Sequence, residues 1–168
     1  NVLRPYHVLH GGQSVTSLGQ HPNECRSIRG GPNKGNCSTA AGRYQLLYVT
    51  WIYLAGQYHP LHRGSDTADE VASLSFEPQY QDAVEMRWLA DTDAWGMDIA
   101  AQLKKGNVKP VLRRLSRTWT SLGYGIENNL MSRELPRIYN QLLQQELRRA
   151  GLQPAGAAAA NGPKVYQL

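Results

Sequence analysis

No apolar run in the 168-residue chain approaches the ~20 residues that span a bilayer, so insertion into a membrane is not expected. Nothing at its start has the charged, apolar and small-residue regions of a secretory signal. Nor does it begin with Met: Asn1 reads as the start of a processed chain or of one lacking its first residues. RNP, zinc-finger and basic-zipper patterns are all missing, so nucleic acid is not the expected partner. His7 with His10, and His59 with His62, have spacings that suggest metal, but neither pair comes with Cys or a convincing acidic ligand, and no metal is expected. Gly30-Gly31-Pro32-Asn33-Lys34-Gly35 lacks the Gly-Lys-Ser/Thr ending of a phosphate loop and reads as a turn. No motif implies a cofactor, and there is no internal repeat.

Cysteine is nearly absent as well, with only Cys25 and Cys37, which flank that turn. A disulfide between them would close a short loop and contribute roughly 3 kcal/mol by the chain-entropy model. Two free thiols in a reducing compartment are the alternative, and an oxidising destination favours the bridge.

What is present suits one globular domain: 41% hydrophobic and 18% charged residues, in a chain long enough for a core. A net charge of +5 and a pI near 9.4 favour polyanions. Nucleic acid, anionic lipid and bacterial wall polymers all qualify, and charge alone does not choose among them. The basic residues gather at Arg113, Arg114 and Arg117 and at Arg148 and Arg149, in amphipathic segments whose charged side reads as a solvated face.

Residues 1–20 read as irregular strand, with Tyr6 and Val8 alternating before Gly11 and Gly12 turn the chain. Residues 21–37 form a long, exposed lip. A central helix is expected over 41–57, with Tyr44, Leu47, Trp51 and Ala55 on one face and Leu46, Val49 and Tyr53 extending burial round its sides. A short helix through Glu70 and Leu74 follows. Pro78 fits the first turn of a helix with Tyr80, Val84 and Trp88 inward. Asp93 can cap the next, with Trp95, Ile99 and Leu103 inward, and Asn107 a further one bearing Val108, Leu112, Leu115 and Trp119. Ser132 opens the last, with Leu135, Tyr139, Leu142 and Leu147 inward. Residues 151–168 turn to Ala, Gly and Pro without period, a flexible tail or linker after a domain over 1–150. The fold class is α+β, mostly helical, with a small sheet.

The most informative stretch is Ser38-Thr39-Ala40-Ala41-Gly42-Arg43-Tyr44-Gln45-Leu46-Leu47. Ser38 or Thr39 can cap the central helix, and the small residues after them leave room for a partner to approach the backbone. Tyr44 adds an amphipathic ring and Gln45 a two-way amide, both suited to sugar hydroxyls and acetamido groups; packing inside the protein would use them equally well.

Gly11-Gly12, His21-Pro22, the stretch 38–47, Pro78 through Gln81-Asp82-Ala83-Val84, and Trp119 through Gly123-Tyr124-Gly125 occur in the order found in the bacteriophage lambda lysozyme family, which the chain resembles over roughly residues 6–150. The resemblance implies a lysozyme-like, two-lobed fold with a central glycan-binding cleft. It implies a phage-encoded lytic transglycosylase, an endolysin or virion component, acting in the host periplasm or cell wall or carried in the virion. Its partners would be peptidoglycan glycan strands, with other virion proteins reached through the tail. The bond between N-acetylmuramic acid and N-acetylglucosamine would be cut to a 1,6-anhydromuramyl product by one carboxyl group, held in an apolar pocket. Ser38, Thr39, Tyr44, Gln45 and Tyr124 become the candidate substrate contacts. In the family the acid is the Glu of a Glu-Gly-Thr motif shortly before the first Gly-Gly turn. This chain has no Glu-Gly dipeptide, so the acid is expected before Asn1 and the chain by itself is expected to be inactive. Glu24 in the lip is the fallback within it. A non-catalytic glycan-binding domain of the same fold is the rival reading. The shorter Leu122-Gly123 segment departs from the family and puts the second lip in doubt.

Overall fold

The one sheet among the described residues is a two-stranded antiparallel hairpin, β1 (Arg26–Ser27) and β2 (Cys37–Ser38), and helix predominates elsewhere, as expected. The computed structural model describes residues 5–124 and 130–151, so the expected tail beyond Gly151 and the Gly125 of the last motif lie outside it. The chain divides into two compact units, residues 1–105 and 106–168.

In the first unit the hairpin sets Arg26 opposite Ser38 and Ser27 opposite Cys37. Cys25 and Cys37 are disulfide-bonded with their Cα atoms 5.3 Å apart, so the lip is a closed loop. The central helix, α1 (Tyr48–Tyr58), starts seven residues later than its apolar pattern predicts. Residues 41–46 instead fold back as a tight turn, with Ala41 and Leu46 bridged and Gly42 and Gln45 in the left-handed region at φ +75° and +51°. Thr39 still caps the helix from a distance: its hydroxyl accepts the Tyr48 N–H at 3.0 Å. Trp51, Leu54 and Ala55 are buried, whereas Val49 and Tyr53, expected at the sides of the core, are exposed.

The short helix α2 (Ala68–Ala72) carries a capping box between Thr67 and Glu70. α3 (Pro78–Ala90) begins at its proline as expected and buries Gln81, Val84 and Glu85. One expected helix is two. Asp91, not Asp93, caps α4 (Thr92–Trp95), left-handed Gly96 ends it, and Asp98 caps α5 (Ile99–Lys104). The core is a run of rings: His21 on Phe76 (4.7 Å between centroids), Phe76 edge-on to Trp51 (4.6 Å), Trp51 to His59 (5.8 Å), and His59 stacked on Tyr80 (4.8 Å).

The second unit holds α6 (Val108–Leu115) and α7 (Leu135–Arg149). Val108 and Val111 are buried; α6 stops at Leu115, so Trp119 lies beyond it. Ser132 sits in a 3-10 turn, Leu130–Arg133, and α7 starts only after it. No α7 residue is buried, and Leu142, expected inward, is exposed.

Candidate functional site

The left-handed turn at 41–46 is held from inside the protein. The Gln81 amide accepts the Arg43 N–H at 3.0 Å and donates to the carbonyls of Phe76 (2.8 Å) and Tyr6 (3.1 Å). A Cβ on Gly42 would stand 2.2 Å from Gln81 Oε1, so glycine is required by the packing as well as by its φ. The partner that approaches the small residues at 40–42 is therefore this chain's own Gln81. Gln45 is drawn into the same structure, its Nε2 donating to the carbonyls of Val8 (3.0 Å) and Gly42 (2.9 Å).

Tyr44 donates its hydroxyl to Asp82 Oδ1 at 2.7 Å, while Tyr6 donates to the other oxygen at 2.8 Å. Arg43 donates to the Tyr6 hydroxyl at 2.7 Å, and its guanidinium lies over the Tyr6 ring. Burial first, and then the bond to Asp82, push the Tyr44 hydroxyl well above the ordinary tyrosine range. Ser38 accepts the Ala40 N–H at 3.2 Å. Four of the five candidate contacts thus have polar groups engaged within the fold. Tyr124 differs: it is 51% exposed, stands at φ +65°, and has the Arg113 guanidinium 5.3 Å over its ring.

The structure adds a groove that the sequence did not single out. An open cavity of about 420 Å³ is lined by Ser14, Val15, Thr16, Ser17 and Gln20, together with His21, Pro22 and Glu24. Short hydroxyl and amide side chains of this kind can hydrogen-bond a sugar from many directions. His21 is fixed in that lining: Nε2–H donates to the Leu46 carbonyl at 3.0 Å and Nδ1 accepts the Asn23 N–H at 3.1 Å. Burial holds its pKa below the ordinary histidine value, in keeping with the neutral tautomer those bonds require. His59 is placed the same way, donating to the Ser75 carbonyl and accepting the Leu61 N–H. His7 donates Nδ1–H to the Val15 carbonyl at 2.9 Å.

Two carboxyl groups bear on acid chemistry. Glu24 lines the groove but is exposed and ion-paired with Arg26, with no apolar enclosure around it. Glu85 has that enclosure: it is 1% exposed, and burial raises its pKa to about 7. Being sealed among the core residues of α3, it is out of hydrogen-bond reach of any bound sugar, which a general acid must touch.

A mostly helical α+β fold with a small hairpin sheet and a polar groove beside a disulfide-closed lip is of the lysozyme-like class. The chain belongs to the Endolysin family, whose model matches residues 2–145. The endolysin of Escherichia phage lambda is 29% identical over 123 residues, covering 71% of this chain and 64% of that protein, so the match spans less than two thirds of the relative's length. The lysozyme of bacteriophage lambda complexed with a chitohexasaccharide aligns with a TM-score of 0.55 and 25% identity, covering 81% of this chain and 75% of that one. A second structure, lysozyme from bacteriophage lambda, aligns at 0.50 with 23% identity over 88% of this chain and 78% of that chain.

Proposed function

We propose that this chain is the glycan-gripping part of a phage-encoded enzyme that degrades peptidoglycan as a lytic transglycosylase. The observation that carries the reading is the family match over residues 2–145; the hydroxyl-lined groove at Ser14–Gln20 supports it. The disulfide suits action in an oxidising place such as the host periplasm or the cell wall. In the proposed reaction the bond from the muramyl C1 to O4 of N-acetylglucosamine breaks as a carboxylic acid gives its proton to O4. The muramyl 6-hydroxyl then bonds to C1, and its proton returns to the carboxylate, so no water is consumed. The groove residues Ser14, Thr16, Ser17 and Gln20 bind and orient the glycan; Glu24 and Glu85 fit no part of the proton transfer. That observation favours a second reading, a glycan-binding domain of the same fold without catalysis.

Digestion of purified sacculi, by the 168-residue chain and by the product of the open reading frame encoding it, separates these readings. Mass spectrometry should find muropeptides one water lighter than their hydrolytic counterparts with the reading-frame product, and little cleavage with the chain alone. Hydrolytic ends would overturn the transglycosylase assignment. Binding without cleavage by either protein would establish the second reading.

A further inference from the structure

A solvated helix face ordinarily carries both signs of charge, and α7 does so: Arg137 pairs with Glu134 at 2.8 Å and Arg149 with Glu146 at 2.7 Å. The region of α6 does not. Between Asp98 and Glu127 the sequence has no acidic residue and six basic ones, Lys104, Lys105, Lys109, Arg113, Arg114 and Arg117. Six exceeds the net charge of +5 for the whole chain, so the excess positive charge is concentrated here and the remainder is on balance slightly acidic.

Lys109, Arg113 and Arg117 follow at four-residue intervals along α6 and into the turn after it, about 6 Å apart along the axis, and all three are exposed. Val108 and Val111 bury the opposite side, which fixes the ridge toward solvent. Among the described residues, none of the three is in an ion pair. Like charges at this spacing repel and weaken a helix, and an external polyanion would relieve them. Arg113 also lies over the ring of Tyr124, so an exposed aromatic adjoins the ridge. The backbone there is constrained: among the described residues Tyr124 is one of three non-glycine residues with positive φ, and a Cβ on Gly123 before it would come 2.8 Å from the Ser132 side chain.

We infer that the Lys109–Arg113–Arg117 ridge is a docking surface for a linear polyanion and, resting on the wall-glycan reading above, that this polyanion is peptidoglycan, bound through the free carboxylates of its peptide stems. A lipid surface fits less well, because the apolar side of α6 is turned into the protein and cannot enter a bilayer. Nucleic acid fits less well because, among the described residues, one ring lies against a ridge cation where strand binders line up several.

The test is sedimentation of the full chain with purified sacculi across a salt series, beside calorimetry with neutral chitohexaose. Binding to sacculi should weaken steeply with salt, and amidation of the sacculus carboxylates should weaken it about ten-fold or more at low salt. The double variant Lys109→Glu/Arg117→Glu should lose as much and respond less to salt, with Lys109→Gln/Arg117→Gln intermediate. Both should melt at or slightly above the temperature of the unaltered protein, as relief of the like-charge repulsion requires, and bind chitohexaose unchanged. Equal binding of native and amidated sacculi, or undiminished binding by the folded double variant, overturns the inference alone. So does a DNA duplex that binds more tightly than sacculi and loses its affinity in the same variant. A chain with no affinity for chitohexaose or sacculi overturns the glycan reading, and this inference with it.

Discussion

The fold disfavours ionisation of Glu85. Burial raises its pKa from 4.5 to about 7, and one of its carboxyl oxygens is buried without a hydrogen-bond partner among the described residues. Below pH 4.5 both folded and unfolded chains hold the proton, and the stabilisation is fully present. As pH rises toward 7 the unfolded chain releases it while the folded one retains it, so stability falls by on the order of 3 kcal/mol and then levels off. His21 and His59 act in the opposite sense. Burial lowers their pKa, so their contribution is present above 6.5 and lost as pH falls through the folded values. Comparing the unaltered protein with Glu85→Gln isolates the carboxyl. The two should melt together near pH 4, and the variant should melt several degrees higher at pH 8; no gain at pH 8 would mean that the carboxylate is compensated in the fold. Gln45 makes a second case. Removing its amide in Gln45→Ala loses two bonds to backbone carbonyls and should cost about 1–2 kcal/mol, read as a lower denaturation midpoint. An unchanged midpoint with weakened chitohexaose binding would return Gln45 to direct sugar contact.

At the scale of elements, the lip depends on one covalent link. β1 and β2 are two residues each, too short to hold a hairpin by themselves, so the Cys25–Cys37 bond carries the closure. Reduction, or Cys25→Ser with Cys37→Ser, should lower stability by about 3 kcal/mol and raise exchange of the Ile28 and Gly35 amides, which bond across the loop. Equal melting with and without reductant would show that the lip is held by other contacts. The sequence made some of these elements legible because their signals are local: Pro78 marks the start of α3, and the paired cysteines mark the lip. Others depend on distant partners. Residues 41–46 share the apolar spacing of α1, yet Gln81, 38 residues beyond Arg43, holds them in a left-handed turn that periodicity cannot reveal. The same stretch stands out in the sequence, but its hydrogen bonds to Val8, Gly42 and Asp82 depend on the fold and are not legible there. The groove at Ser14–Gln20 was missed because short polar residues without a period look like any loop.

Across the whole molecule, burial among the described residues is distributed very unevenly between the two units. The first contains Leu9, Leu18, Trp51, Leu54, Phe76 and Val84, all at 1% exposure or less, and the run of packed rings. The second buries Val108 and Val111, while α7 has no buried residue along its fifteen. At roughly 25 cal/mol per Å² of apolar area, that difference amounts to many side chains' worth of stabilisation. Local opening free energies follow buried apolar contact, so the units should not open together. Native-state hydrogen exchange should find the α1 and α3 amides released only by global unfolding, with one common denaturant dependence. The α6 and α7 amides should exchange through a smaller opening, lower in free energy by at least about 2 kcal/mol and with a shallower denaturant slope. If the ridge on α6 docks to the wall, added sacculi should raise α6 protection more than that of α1, since a ligand stabilises most the conformation it binds. Amides of α7 as well protected as those of α1, in the protein alone, would show that the whole chain unfolds as one unit.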